Sequence, residues 1–183
     1  MNNRTKFLQL LLAFFVLLGF ASCNDKINTE EQNRLNSERA FREYKGNAEY
    51  KAITMDGLIG DKYVYAKWLK EGKTNQKPIF TSRVDIHFKI YLLGEKGKHI
   101  LVYDNYSSET GERFAVYRGD SGRNVTLGMR IGLLNMEKGD EVELIVPWYM
   151  AYGQSMNMEY RIPSYSALKY VVRLDDIIPE DAQ

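Results

Sequence analysis

The stretch from Val125 to Ile177 leaves few folds open. It begins V-T-L-G-M-R-I-G-L-L-N-M-E-K-G-D and continues E-V-E-L-I-V-P-W-Y-M-A-Y-G. After a loop it ends I-P-S-Y-S-A-L-K-Y-V-V-R-L-D-D-I. Leu127, Ile131, Leu134 and Met136 recur at helical spacing around Gly128. Lys138-Gly139-Asp140 closes that helix with a C-terminal glycine. Val142, Leu144 and Val146 then alternate with other residues, as do Leu168, Tyr170, Val172 and Leu174. Both runs fit half-buried strands with one apolar face. Ala151-Tyr152-Gly153 and Ile162-Pro163 lie in the connection between them.

The preceding half also reads as strands. Ala52-Ile53-Thr54 is a short one, and Lys62 to Leu69 is a longer one closed by Lys70-Glu71-Gly72. In Ser82 to Leu93, Val84, Ile86, Phe88 and Ile90 share a face. Gly94 to Lys98 turns the chain, Ile100 to Tyr103 is extended, Ser107 to Glu112 is loop, and Arg113 to Tyr117 is a last short strand. A run of strands with a single apolar helix predicts an α+β domain. The charge balance, 25 basic against 24 acidic residues, contains no basic stripe interleaved with aromatics, which argues against nucleic acid as a partner. No Cys/His spacing suits a metal, and no glycine loop suits a phosphate, so neither metal nor cofactor is expected. His87 reads as a structural strand residue and His99 as a solvated edge residue.

In its second half this order resembles the FKBP-type peptidyl-prolyl isomerases: a glycine-started helix ending in M-x-x-G, a strand, A-Y-G, I-P, then L-x-[FY]-x-V-x-L. More loosely, Y-V-Y-A-K-W-L-K-E-G resembles the family's first strand and turn. V-D-I-H-F stands where V-x-V-H-Y-T-G is usual, V-Y-D-N is similar to V-F-D-S, and R-F-A-V-Y-R-G to the strand that follows. The resemblance spans Lys62 to Ile177. It implies a twisted antiparallel half-barrel sheet wrapped around one short helix, and peptidyl-prolyl cis-trans isomerase activity.

An X-Pro amide rotates slowly because rotation breaks peptide resonance, a barrier of about 18–20 kcal/mol. Cis and trans are nearly isoenergetic, so only the rate needs help. A dry apolar cup with donors that favour the twisted amide is sufficient, and no nucleophile is required. The resemblance implies that Phe88, Tyr103, Phe114 and Tyr170 are aromatic walls of that cup and that Val125 and Ile162 are aliphatic walls. It places Met129 at the floor, where the family usually has tryptophan, and gives Thr126 a backbone N–H aimed at the ligand. Asp104 and Tyr152 become the catalytic pair: Asp104 polarises near the carbonyl, and the Tyr152 hydroxyl bonds it. Other departures are Phe88-Lys89-Ile90 for the usual Tyr-Thr-Gly, Pro147-Trp148 for Pro-Pro, and a loop before Ile162 that lacks the customary glycines.

The N-terminus reads as a targeting segment. Arg4 and Lys6 precede an apolar run from Phe7 to Phe20, then Ala21, Ser22 and Cys23, the only cysteine. This resembles a bacterial lipoprotein signal, cut before a cysteine that carries the lipid. Residues 1–22 are then a signal peptide, 23–60 a polar, partly helical tether, 61–178 the FKBP-like domain and 179–183 a tail. Thr29-Glu30-Glu31-Gln32 has capping-box form and opens a helix to about Tyr44. The expected partners are proline-containing polypeptides of the cell envelope and the membrane, through lipid on Cys23, with the outer membrane as the location. A catalytically weak chaperone or partner-binding module of the same fold is the alternative. A third reading is a structural lipoprotein recruiting a complex through residues 24–60.

Overall fold

In a computed structural model that describes residues 25–60, 62–117 and 124–178, the described residues form one antiparallel sheet with two α-helices. Helix α1 (Asp25–Arg42) is followed by β1 (Lys51–Ile53), β2 (Val64–Lys70), β3 (Arg83–Leu92), β4 (Ile100–Asp104) and β5 (Glu112–Ala115). Helix α2 (Leu127–Asn135), β6 (Glu141–Val146) and β7 (Leu168–Ile178) complete it. The strand order is β1-β2-β6-β7-β3-β4, and all pairings are antiparallel. On its other edge β3 carries two partners in succession: β5 along Arg83–Ile86 and β4 along Lys89–Leu92. The Cys23 expectation lies outside the described residues, as do 1–22 and 179–183.

The predicted alternation sets the inner face. Val84, Ile86, Phe88 and Ile90 of β3, Val142, Leu144 and Val146 of β6, and Leu168, Tyr170, Val172 and Leu174 of β7 are all buried in one core. Helix α2 lies on that face and adds Met129, Ile131 and Leu133. Two glycines let it lie close. A Cβ on Gly128 would clash with Val146 Cγ1 and stand 2.9 Å from its Cγ2, and one on Gly132 would clash with Leu144 Cδ1. At the far end of α2 the buried Asp140 carboxylate accepts from Gly72 N (2.7 Å), Trp68 Nε1 (2.9 Å) and Glu137 N (2.9 Å). The Lys-Glu-Gly turn is thereby pinned to the helix's exit.

Residues 33–60 pack with the sheet rather than standing off it as a tether. From Asn33 onward the chain belongs to the same unit as the sheet. Ala40 and Phe41 of α1 are buried with Tyr65, Leu93, Ile145 and Ala167 in a second cluster, flanked by Tyr44, Tyr50 and Tyr63. Tyr65 and Ile145 face away from α2, so β2 and β6 are covered on both sides here. The contact is polar as well: Ala167 N donates to Ser37 Oγ (3.1 Å) and Tyr50 Oη to Glu143 (2.6 Å). His99 is half-buried beside Tyr44 Oη (3.3 Å) rather than solvated at an edge, and burial together with the nearby Lys169 lowers its pKa. His87 is structural, with its ring nitrogens facing the Asp175 carboxylate (2.5 Å) and the Ser108 carbonyl (3.0 Å).

Candidate active site

Thr126 sets the position of helix α2 over the sheet. It is the N-cap, extended at φ −62° and ψ 161°, and its Oγ accepts from Met129 N at 3.4 Å. This places Val125, Thr126 and Met129 at one end of the inner face, above the side chains of β3 and β7. Between them is a cavity of about 150 Å³. Ile86, Phe88 and Ile90 of β3, Phe114 of β5 and Tyr170 of β7 line the sheet side. Asn124, Val125, Thr126 and Met129 line the helix side, and Tyr152, Asn157, Glu159 and Tyr160 come from the long β6–β7 connection. The aromatic rings pack edge to face: Phe88 against Phe114 at 5.6 Å between centroids and against Tyr160 at 6.3 Å.

Of the residues expected from sequence, Phe88, Phe114, Val125, Thr126, Met129, Tyr152 and Tyr170 meet around this cavity. Tyr103 stands one layer behind, its ring tilted on Phe88 (5.0 Å) and crossing Tyr160 (4.8 Å). Ile162 is fully buried in the core rather than on the cavity surface, held in an antiparallel bridge with Asn157.

Asp104 departs from its expected role. In the β3–β4 register Tyr103 opposes Ile90 and Asp104 opposes Lys89. Opposed residues share a face, and Lys89 points away from the helix. The Asp104 carboxylate accordingly pairs with Lys89 Nζ (3.1 Å) and accepts from Tyr106 N (2.9 Å) on the outer face. Those two contacts, the Tyr106 N–H foremost, hold its pKa below the usual carboxylate value. It does not reach the cavity.

The next residue, Asn105, turns inward instead and is buried. It sits in the gap between β4 and β5, where that edge of β3 has no strand beside it. Its Oδ1 accepts from Phe88 N (2.6 Å), and its own N–H donates to Phe88 O (3.3 Å). Its Nδ2 donates to Glu112 Oε1 (3.1 Å), which also accepts from the Tyr103 hydroxyl. A side chain thus replaces the missing ladder and fixes the Phe88 and Tyr103 rings. The sequence signal for it was the residue after Asp104 in V-Y-D-N, read only as part of a motif. Tyr160 was missed too. It closes a turn in which Asn157 Oδ1 accepts from Tyr160 N (2.8 Å), a side-chain turn legible as N-x-x-Y.

Apolar and aromatic walls are joined by polar groups of Asn124, Thr126, Tyr152, Asn157, Glu159, Tyr160 and Tyr170. Such a site can desolvate and orient a small apolar group. Among the described residues there is no group of three metal-ligating side chains and no helix long and apolar enough to cross a membrane.

The family model for FKBP-type peptidyl-prolyl cis-trans isomerases matches residues 74–175. No curated protein sequence matches the chain. Among solved structures, FkpA from Escherichia coli is similar over 100% of this chain and 75% of its own, at 20% identity and a TM-score of 0.67. A peptidyl-prolyl cis-trans isomerase from Pseudomonas syringae is similar over 81% of this chain and 96% of its own, at 19% identity and a TM-score of 0.62. The N-terminal domain of FKBP42 from Arabidopsis thaliana is similar over 69% of this chain and 99% of its own, at 20% identity and a TM-score of 0.54.

Proposed function

Because the chain belongs to the FKBP-type peptidyl-prolyl cis-trans isomerases, with the family match covering more than half its length, we propose that it isomerises X-Pro bonds of envelope polypeptides in the cavity beneath α2. The observation that carries this is the set of aromatic rings, Phe88, Phe114, Tyr152, Tyr160 and Tyr170, converging on the N-terminal end of that helix. The cavity is far smaller than the roughly 300–1,000 Å³ of drug-sized sites. It accepts one side-chain-sized apolar group, as a proline ring is, and leaves the rest of the peptide outside.

A planar amide is charge-separated and well solvated by water. Removing that water weakens the planar form more than the twisted one, which has lost resonance. The Thr126 N–H precedes the helix and lies outside its internal bonding series. Together with the Tyr152 hydroxyl it anchors peptide carbonyls while the amide turns. Met129 supplies an apolar, adaptable floor. No covalent step is involved.

The test is exchange of a short Ala-Leu-Pro-Phe peptide followed by NMR with the purified protein. Acceleration is expected, and Tyr152→Phe should reduce kcat/KM about tenfold, the scale of one hydrogen bond. An unchanged Tyr152→Phe rate would remove that residue from the mechanism. A folded protein that binds the peptide without accelerating exchange would make the cavity a binding site only.

Location in the cell envelope follows from the N-terminal sequence: a basic start, an apolar run and Cys23 behind two small residues. Cleavage before Cys23 and acylation of its thiol would tether the domain to the membrane, firmly where more than one chain is attached. Cys23→Ser should abolish acyl labelling and release the protein to the soluble fraction. A mutant still acylated and membrane-bound would refute the anchor.

A further inference from the structure

The turn between β3 and β4 ends in a histidine that the cavity does not use. The ring nitrogens of His99 meet two different groups. Gly94 N donates to Nδ1 at 3.3 Å. A backbone N–H can only donate, so Nδ1 carries no proton and the neutral ring keeps its hydrogen on Nε2. Nε2 faces the Tyr44 hydroxyl, also at 3.3 Å, just past the end of α1. The ring thus joins the turn to the helix layer. Other contacts follow the same seam: Leu93 is buried with Phe41, Lys96 N donates to Glu43 Oε2 (2.8 Å), and Arg39 Nε pairs with Glu95 (3.0 Å).

The charged groups around the ring are already engaged. On the helix side, Glu43 accepts from Lys96 N. Glu143 of β6 accepts from Tyr50 Oη (2.6 Å) and pairs with Lys169 of β7 (2.5 Å). Tyr44 and Tyr50 meet edge to face at 4.8 Å, and burial raises the pKa of both phenols, which stay neutral. On the turn, Glu95 is held by Arg39, and Lys96 and Lys98 add positive charge. Burial and the Lys169 ammonium lower the imidazole pKa, against the opposing pull of Glu143 and Glu43. A second proton would have to sit on Nδ1, setting Nδ1–H and Gly94 N–H head to head.

We propose that His99 is an acid-sensitive latch between the β3–β4 turn and the end of α1, closed while the imidazole is neutral and released when it is protonated. A freed histidine takes its proton near pH 6.5. Below that pH the latched ring holds fewer protons than the freed one. The clasp is therefore at full strength above pH 6.5 and weakens as pH falls through the lower, latched value. Release uncovers the second cluster at Phe41, Tyr65 and Leu93, on the face of the sheet away from α2.

The test follows the ring of His99 by NMR and the amide hydrogen exchange of Arg42 to Tyr50 and Leu93 to His99, from about pH 7 to about pH 5, with intrinsic exchange rates divided out. In the wild type the ring should titrate below 6.5, and protection in both segments should fall about tenfold over that range, the scale of one lost hydrogen bond. His99→Asn keeps an acceptor for Gly94 N but no titrating group, and its protection should not fall. Tyr44→Phe keeps the histidine and removes the Nε2 partner, so the ring should titrate closer to 6.5 and both segments should be less protected already at about pH 7. Wild-type protection that does not change with pH overturns the latch. So does an equal fall in His99→Asn, a wild-type ring that titrates at or above 6.5, or a Tyr44→Phe ring that titrates as in the wild type.

Discussion

Gly128→Val is expected to destabilise the domain by about 3 kcal/mol, the upper part of the range for overpacked cores. For a chain of this size that lowers the melting temperature by roughly 6–12 °C. Gly128 lies in the first turn of α2, and the first atom added to it would meet Val146 Cγ1, with Cγ2 at 2.9 Å and Cβ at 3.1 Å. Val146 cannot yield. It is fully buried, β-branched, and held in register opposite Leu168. Relief must come from the helix moving off the sheet, and the helix's first turn carries Thr126 and Met129 into the cavity. Prolyl exchange should therefore fall even at temperatures where the variant is fully folded. Gly128→Ala tests the cause. Alanine gains up to about 1 kcal/mol of helix propensity, so its net cost should be near 1 kcal/mol. Adding Val146→Ala should make the pair less damaging than the sum of the single changes by at least about 0.5 kcal/mol. Strict additivity in that cycle, or a Gly128→Val protein as stable as wild type, would mean the close approach does not constrain the helix.

A different glycine, Gly139, shows why the C-terminal half was legible. There the apolar period switches from helical to alternating within a few residues of Gly139, and each inner-face residue is one that alternation selects. The β2 strand was legible as Lys62 to Leu69, but its outer cover was not. Its Tyr-Val-Tyr-Ala-Lys-Trp run is apolar on both faces at its start, which marks a strand covered on both sides. The second layer over Tyr65 is α1, through Ala40 and Phe41. The helix itself gave little warning, because two or three apolar contacts in a polar sequence are indistinguishable from a solvated tether until their partners are known. Asp104 lies on the outer face for a different reason. A motif aligns residues, but the face each one takes depends on strand register. β3 and β4 have a register shift between Ile90 and Tyr91, and a one-residue difference exchanges inside for outside. The inward position therefore falls to Asn105, which supports the Phe88 wall from behind. Tyr160 and Glu159 belong to a long connection whose path no periodicity describes.

Asn105→Ala should consequently be damaging too, costing about 2–3 kcal/mol. The backbone N–H of Phe88 loses its acceptor at a buried position, and an orphaned buried donor costs about 1–3 kcal/mol alone. The missing amide also leaves a space beside Glu112 that the surrounding strands cannot fill. The functional loss should exceed the stability loss suggested by assays at ambient temperature. Glu112 would keep the Tyr103 hydroxyl but lose the Asn105 Nδ2 that steadies it, and Tyr103 packs directly on Phe88 and Tyr160. Asn105→Asp separates the two contributions. Its carboxylate still accepts from Phe88 N but faces the Glu112 carboxylate where an amide donor stood. Like-charge repulsion raises the folded-state pKa of that pair above its unfolded value. The variant should therefore be close to wild type in stability below about pH 4, where the unfolded carboxylates are themselves protonated. It should lose stability as pH rises through the raised folded value. Denaturant titrations of wild type, Asn105→Ala and Asn105→Asp between pH 3 and 8 would show this. A variant Asn105→Ala as stable as wild type, or an Asn105→Asp curve parallel to wild type at every pH, would place the support of the Phe88 wall elsewhere.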